Sequence, residues 1–174
     1  MTANVQQIFS KVGIVGFCKL QAANTAVDGT GTLDTGSTVT AAGVATSGTA
    51  TTTTGHLGTL FVADATNGGR VERIRLMAEG TNVATVLRLF INNGLTNATA
   101  MNNVLIAEIA LPATTASNSA LINSGVIELP TPSQVTAFDL TAFPIVLPIG
   151  YKLMACLGTA VASYWDATAF GGAY

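Results

Sequence analysis

Apolar and polar residues alternate along most of this chain with the two-residue period of a strand, and rarely with the roughly 3.6-residue period of a helix. Runs of strand length fall at Gly13–Ala23, Leu60–Ala63, Arg70–Ala78, Ala84–Asn92, Val104–Leu111, Ala120–Leu129, Val135–Leu140, Ile145–Leu147, Tyr151–Leu157 and Ala160–Asp166. Turn signals separate them: Asn67-Gly68-Gly69, Gly80-Thr81-Asn82, Asn92-Asn93-Gly94, Gly150 and Gly158. Only Asn4–Val12 has the spacing of a helical turn or two. Many short strands at this spacing predict an all-β fold, an antiparallel β-sandwich or barrel.

Neighbouring side chains on a strand point to opposite sides, so the alternation also predicts which residues face the core. In Arg70–Ala78 the inward set is Ile74, Leu76 and Ala78, with Arg73, Arg75 and Met77 turned outward. In Ala84–Asn92 it is Thr85, Leu87, Leu89 and Ile91, with Arg88 and Phe90 opposite. Val104–Leu111 and Tyr151–Leu157 are apolar on both faces, which predicts a second covering surface supplied by another subunit or by a loop of the same chain. Pro130, Pro132, Pro144 and Pro148 flank strands, where they block extension of the ladder.

Residues 24–58 break the rhythm. VDGTGTLDTGSTVTAAGVATSGTATTTTGHLG is almost entirely Thr, Gly, Ala and Ser, and reads as an extended loop or ribbon held by packing. The organisation expected is a short N-terminal arm over 1–12 followed by one β-sandwich domain over 13–174, about the size of an average domain.

Composition changes the picture in one respect. Only 9% of the 174 residues are charged and 49% are hydrophobic, against roughly a quarter charged in an ordinary soluble domain. The most apolar stretch, 142–162, is broken by Pro144, Pro148, Gly150 and Lys152, whereas a spanning helix needs about 20 largely uninterrupted apolar residues, so no membrane partner is expected. The first ten residues, MTANVQQIFS, have neither the basic start nor the apolar stretch of a secretory signal, so synthesis in a cytosol is expected. An exterior this poor in charge is expected to lie against other polypeptides.

Candidate chemistry is sparse. A net charge of −2 and Glu72 and Glu79 set among Arg70, Arg73, Arg75 and Arg88 favour ion pairs over a phosphate track, so no nucleic-acid partner is expected. The single histidine, His56, lies in TTTTGHLG beside no nucleophile motif. Glu72, Glu79, Glu108, Glu128 and Asp139 are the candidate paired carboxylates, and ion pairing with the arginines explains them better. Clustered Cys and His for zinc are missing, and Asp28, Asp34 and Asp64 match no calcium loop. Asp28-Gly29-Thr30-Gly31-Thr32 lacks the lysine of a phosphate cradle. Cys18 and Cys156 sit in apolar strand contexts that suit small buried hydrophobes, with a disulfide or a reactive thiol as the alternatives. Hence no enzyme, cofactor or metal is expected. Tyr151, Tyr164, Trp165, Phe170 and Tyr174 concentrate toward the carboxyl end, as core, as interface anchors or as stacking platforms for a sugar.

Three stretches carry a resemblance. GGRVERIRLMAEGTNVATVLRLFINN at Gly68–Asn93, PIGYKLMACLGTAVA at Pro148–Ala162 and the ending YWDATAFGGAY at Tyr164–Tyr174 are similar to the head-decoration, or capsid cement, proteins of tailed bacteriophages. The resemblance spans about residues 58–174 and leaves the Thr-rich stretch outside. It implies a β-sandwich or jelly-roll-like module, commonly a homotrimer, bound over the junctions between major capsid proteins on the outside of the virion. The function implied is mechanical, many weak contacts repeated over a lattice. The interface residues expected on this reading are Val5, Ile8 and Phe9 in the arm, Arg73, Arg75 and Arg88 on strands, and Trp165 and Tyr174 near the end. The alternative is a tail or fibre module that attaches to a host glycan through Trp165, Tyr164 or Tyr151.

Overall fold

The computed structural model describes residues 13–34, 49–117, 126–129 and 144–173. In chain order the strands are β1 (Gly13–Leu20), β2 (Thr32–Asp34), β3 (Thr49–Thr51), β4 (His56–Val62), β5 (Gly69–Ala78), β6 (Thr85–Asn92), β7 (Asn103–Leu111), β8 (Val126–Leu129), β9 (Ile145–Leu147), β10 (Lys152–Leu157) and β11 (Trp165–Ala173). One 3-10 turn, Ala100–Asn102, leads into β7, and no α-helix occurs among the described residues. The all-β expectation holds, and most strand bounds fall within a residue or two of those the alternation predicts. Val135–Leu140 and the first part of Ala120–Leu129 lie outside the described residues, as do the arm 1–12 and Tyr174.

The strands form two sheets. In sheet A the order is β3-β1-β11-β5, and the far edge of β5 pairs with β8 at Ile74–Met77 and with β9 at Gly69–Val71. Sheet B runs β2-β4-β10-β6-β7. All pairs are antiparallel except two: β3 runs parallel to β1, and β2 parallel to β4. Both parallel strands come from the Thr/Gly-rich stretch, β2 joining sheet B and β3 joining sheet A.

The main core draws on both sheets. β1 contributes Val15, Cys18 and Leu20, β5 contributes Val71, Ile74, Leu76 and Ala78, and facing them are Leu60, Leu87, Leu89, Ile109, Leu153 and Leu157. The face assignment for β5 is correct, with Met77 and Arg73 exposed on the other side. The sheets meet closely where β1 passes β4: a Cβ on Gly16 would lie 1.8 Å from the Leu60 carbonyl oxygen. Only glycine permits that approach. The register of β1 against β11 slips between Ile14 and Gly16, a bulge that sets Ile14 and Phe17 on the same outer face despite their odd spacing.

Two expectations need correction, and a third point is resolved in favour of one of its alternatives. The last strand is not Ala160–Asp166 but Trp165–Ala173; the strand continues through the glycines, because a Cβ at Gly171 would strike the Arg70 carbonyl at 1.9 Å, and β11 slips register against β5 between Phe170 and Gly171. Trp165 is not a surface anchor. It alternates with Ala167 and Ala169 on the inner face of β11 and is 0% exposed, so it can touch neither a partner nor a sugar. Finally, Phe90 on the outer face of β6 is fully buried, in a small second core with Leu57, Met154 and Cys156. Leu33 packs on this cluster, and Gly29 lies so near that an added Cβ would reach Phe90 at 2.8 Å. The second covering surface of β6 and β10 is thus a loop of the same chain, drawn from the Thr/Gly-rich stretch.

Candidate functional site

The outer face of sheet A is built from three rungs that cross β1, β11 and β5 in register. They are Lys19–Asp166–Met77, Phe17–Thr168–Arg75 and Ile14–Phe170–Arg73. The strict alternation of β11 sends Asp166, Thr168 and Phe170 outward while Trp165, Ala167 and Ala169 go to the core. The bulge in β1 brings Ile14 into line with Phe17 and Lys19. Together these side chains border a groove of about 360 Å³. Its apolar rim is wet: Ile14 is 51% and Met77 45% exposed.

One end of the groove is ionic. Lys19 Nζ donates a hydrogen bond to Glu79 Oε1 and stands 3.6 Å from Asp166 Oδ1, with its ammonium 5.5 Å from the centre of the Tyr164 ring. Glu79 is held in place by its own backbone, which donates to the Tyr164 carbonyl at 2.9 Å. The hydrogen bond from Lys19 lowers the acidity range of Glu79, whereas burial and the neighbouring Glu79 push Asp166 upward. The same hydrogen bond to Glu79 raises Lys19. Two carboxylates on either side of one ammonium form an ion cluster whose charges are largely spent on one another. The other end is aromatic, with Arg73 lying 4.2 Å from the Phe170 ring centre, a cation–π contact.

A second surface lies at the edge of sheet B. β7 pairs with β6 on one side and with no strand on the other among the described residues. Its sequence, NVLIAEIAL, has neither the Lys nor the Pro that usually blunts an edge. Val104 and Leu105 are exposed on it, and Met101, in the turn that feeds it, is 90% exposed. The turn itself is rigid: Asn92 Nδ2 donates to Asn103 Oδ1 at 2.8 Å, Asn93 Nδ2 to Asn102 Oδ1 at 3.1 Å, and Asn103 Nδ2 to the Asn97 carbonyl at 2.9 Å.

Of the residues expected at an interface, Arg73 and Arg75 lie on the outer face of sheet A, and Arg75 lines the groove. Arg88 is on the outer face of sheet B, where Nε donates to Glu108 Oε1 at 2.7 Å and a terminal nitrogen reaches the Asn24 carbonyl at 3.4 Å. It clamps the covering loop and is 16% exposed, so its place is inside the subunit. Trp165 is core. Val5, Ile8, Phe9 and Tyr174 lie outside the described residues. Sequence reasoning missed Phe17, Lys19 and Asp166, and weighed Phe170 only as one of the aromatics near the carboxyl end, without a face. Phe17 was hidden by the bulge, although an isolated Gly16 inside a strand pattern is the usual signal of one, and Asp166 and Phe170 by the misplaced last strand.

Several of the acidic residues weighed as metal or proton-transfer groups have local duties; Asp139 lies outside the described residues. Asp28 Oδ1 accepts from the backbone and hydroxyl of Thr30 at 3.0 and 2.7 Å, which lowers its carboxyl range. Asp64 Oδ1 accepts from the backbones of Thr66 and Asn67. Asp34 Oδ1 lies 2.5 Å from His56 Nδ1, a pair that ties β2 to β4. Glu72 pairs with Arg70. Cys18 and Cys156 are both buried free thiols; burial pushes Cys18 far up and Cys156 up to about 11, the latter eased by the nearby Arg88. The chain matches no protein-family model, no curated protein and no solved structure.

Proposed function

We propose that this chain is a structural protein of a bacteriophage virion, bound to the outside of the capsid as a homo-oligomer, a trimer by resemblance, and linking neighbouring major capsid proteins. The role is mechanical rather than catalytic. The observation that carries the reading is the β7 edge, nine residues long, with apolar side chains exposed along it and at its entry, on a chain with only 9% charged residues. Edges of this kind are where chains add to one another, and soluble monomers usually blunt them. The groove on sheet A supplies a second contact face with both apolar and charged character.

The strand pairing favours a jelly-roll-like sandwich. Leaving aside the short β2, β3 and β9, the first of the eight remaining strands pairs with the last, β1 with β11. Moving inward, β4 pairs with β10, β5 with β8 and β6 with β7. Such nesting is one long antiparallel ribbon, closed by the β6–β7 turn and rolled so that its pairs fall alternately in the two sheets. That is how two Greek keys make a jelly roll.

The experiment is to compare heads assembled with and without the protein. Heads that carry it are expected to survive heat and osmotic shock that rupture bare ones; equal survival overturns the stabilising role. Gel densitometry of purified particles separates the tail or fibre alternative, since a cement is present on the order of hundreds of copies and a fibre in far fewer. The glycan reading also loses one of its platforms, because Trp165 is inside the core.

A further inference from the structure

The ion cluster at one end of the sheet A groove brings an amine, an acid and a base together on one face. Lys19 on β1 and Asp166 on β11 are direct cross-strand partners, a relation that holds Cβ atoms about 4.5–5.5 Å apart. Glu79 comes two residues after Met77, which shares their rung, so its side chain is directed to the same face. From there it reaches both partners: it accepts from Lys19 Nζ and hydrogen-bonds the Asp166 carboxyl. Lys19 Nζ in turn stands 3.6 Å from Asp166 Oδ1, with the Tyr164 ring against its other side. Burial and Glu79 both favour the protonated form of Asp166. A neutral carboxylic acid is a weaker ion-pair partner for an ammonium than a carboxylate, and a better acyl acceptor for an amine.

We infer that Lys19 and Asp166 condense to an isopeptide bond, Nζ to Cγ, with Glu79 as the catalytic residue that carries the proton. Lys19 starts as an ammonium, Asp166 as a carboxylic acid and Glu79 as a carboxylate. Glu79 takes one proton along its hydrogen bond, which frees the nitrogen lone pair to attack Asp166 Cγ and form the C–N bond. The C–O bond to the acid's hydroxyl then breaks, and Glu79 returns its proton to that oxygen, which leaves as water. Nitrogen releases a second proton to solvent and keeps its third as the amide N–H. No oxidation state changes and no co-reactant enters. Proximity drives the step: well-oriented groups in one molecule reach effective molarities of about 10⁵–10⁸ M. The bond ties β1 to β11, the first described strand to the last, so neither could be pulled from the sheet by breaking hydrogen bonds alone. The inference does not rest on the virion reading.

Trypsin does not cut after an acylated lysine, so the test is a peptide map of the full chain, incubated folded at neutral pH and then denatured and digested. With the bond in place, the peptide that begins at Val12 runs uncut through Lys19 to Arg70 and is joined to the one that begins at Leu153, at a combined mass lighter by one water. If cleavage after Lys19 is complete and no joined peptide is found, the inference is overturned. Two variants separate the bond from the ion cluster. Both side chains are a third or more exposed, so neither change disturbs the core. Lys19→Arg keeps the positive charge but has no primary amine; the joined peptide is expected to vanish, and its persistence overturns the assignment. Glu79→Gln keeps the shape and loses the base; linkage is expected to slow about 100-fold or more, and an unchanged rate overturns the part given to Glu79.

Discussion

On the outer face of sheet B, Leu57, Phe90, Met154 and Cys156 lie beneath residues of the Thr/Gly-rich stretch, and the face is dry. On the outer face of sheet A, Ile14, Phe17, Met77 and Phe170 border a groove, Ile14 and Met77 about half-exposed and Phe17 and Phe170 partly buried. The strands that build both faces are apolar beyond what one core requires. In sheet B the chain covers its own excess with a loop of small residues, clamped by Arg88 and threaded closely enough that Gly29 touches Phe90. In sheet A the described residues leave the excess uncovered and set charges among it. Double-sided apolarity therefore does not by itself mean a partner; what decides is whether a loop of the chain reaches the face.

The contrast is most sharply tested by trimming one aromatic on each face. Phe90→Ala removes a fully buried ring and is expected to cost about 3–5 kcal/mol in urea unfolding, while Phe17→Ala, on the half-exposed face, is expected to cost less than about 1.5 kcal/mol. Equal costs would erase the distinction between a dry and a wet face. Next in size is an alkaline effect. Folding raises the Cys156 thiol to about 11 from an ordinary 9.0, so its contribution is complete below about pH 9 and is lost as pH climbs through the folded value. The expected slope is about 1.4 kcal/mol per pH unit over that window. Cys18 adds a parallel loss, since burial raises it further. Cys156→Ala should remove its own share of the slope and leave that of Cys18. If the slope is unchanged, the outer face of sheet B is wetter than it looks.

Two smaller changes probe the cover itself. Gly29 has φ +74 and sits 2.8 Å from Phe90 by its notional Cβ; Gly29→Ala is expected to cost about 1–3 kcal/mol and to open residues 24–34 to limited proteolysis before the rest. Smallest is His56→Gln, which breaks the 2.5 Å contact with Asp34 and is expected to cost about 1 kcal/mol, read as faster hydrogen exchange at Leu33 and Asp34. No change at these amides would mean that the Asp34–His56 pair does not hold the ribbon's first end.

Much of the fold could be read from alternation. β5 and β6 emerged almost to the residue because polar and apolar positions alternate along them and Gly or Asn turns bound them, and β9 because Pro144 and Pro148 bracket its three apolar residues. What alternation could not reveal were the places where backbone meets backbone. Gly171 looks like the end of a strand and Gly16 like an ordinary strand position, yet each marks a close approach at which the strand continues with a bulge. The burial of Phe90 depends on a loop with almost no hydrophobic signal of its own, where glycine supplies fit rather than apolar area. The groove depended on both kinds of missed feature, so only Arg73, Arg75 and Met77 of its surroundings were assigned to an outer face in advance.

The position of β11 has a consequence for how the molecule is made. It is the last described strand to leave the ribosome, yet it occupies the middle of sheet A, between β1 and β5. Until Trp165–Ala173 arrives, those two strands have no backbone partner on their facing sides, and the largest buried side chain of the core is missing. Sheet B, whose β6–β7 hairpin is local in sequence, has every strand in hand earlier. Translation therefore sets the order of assembly: a hairpin-seeded layer waits for a central closing strand, and a chain that stops before Trp165 is a half-built product with two raw edges fit for chaperones or proteases.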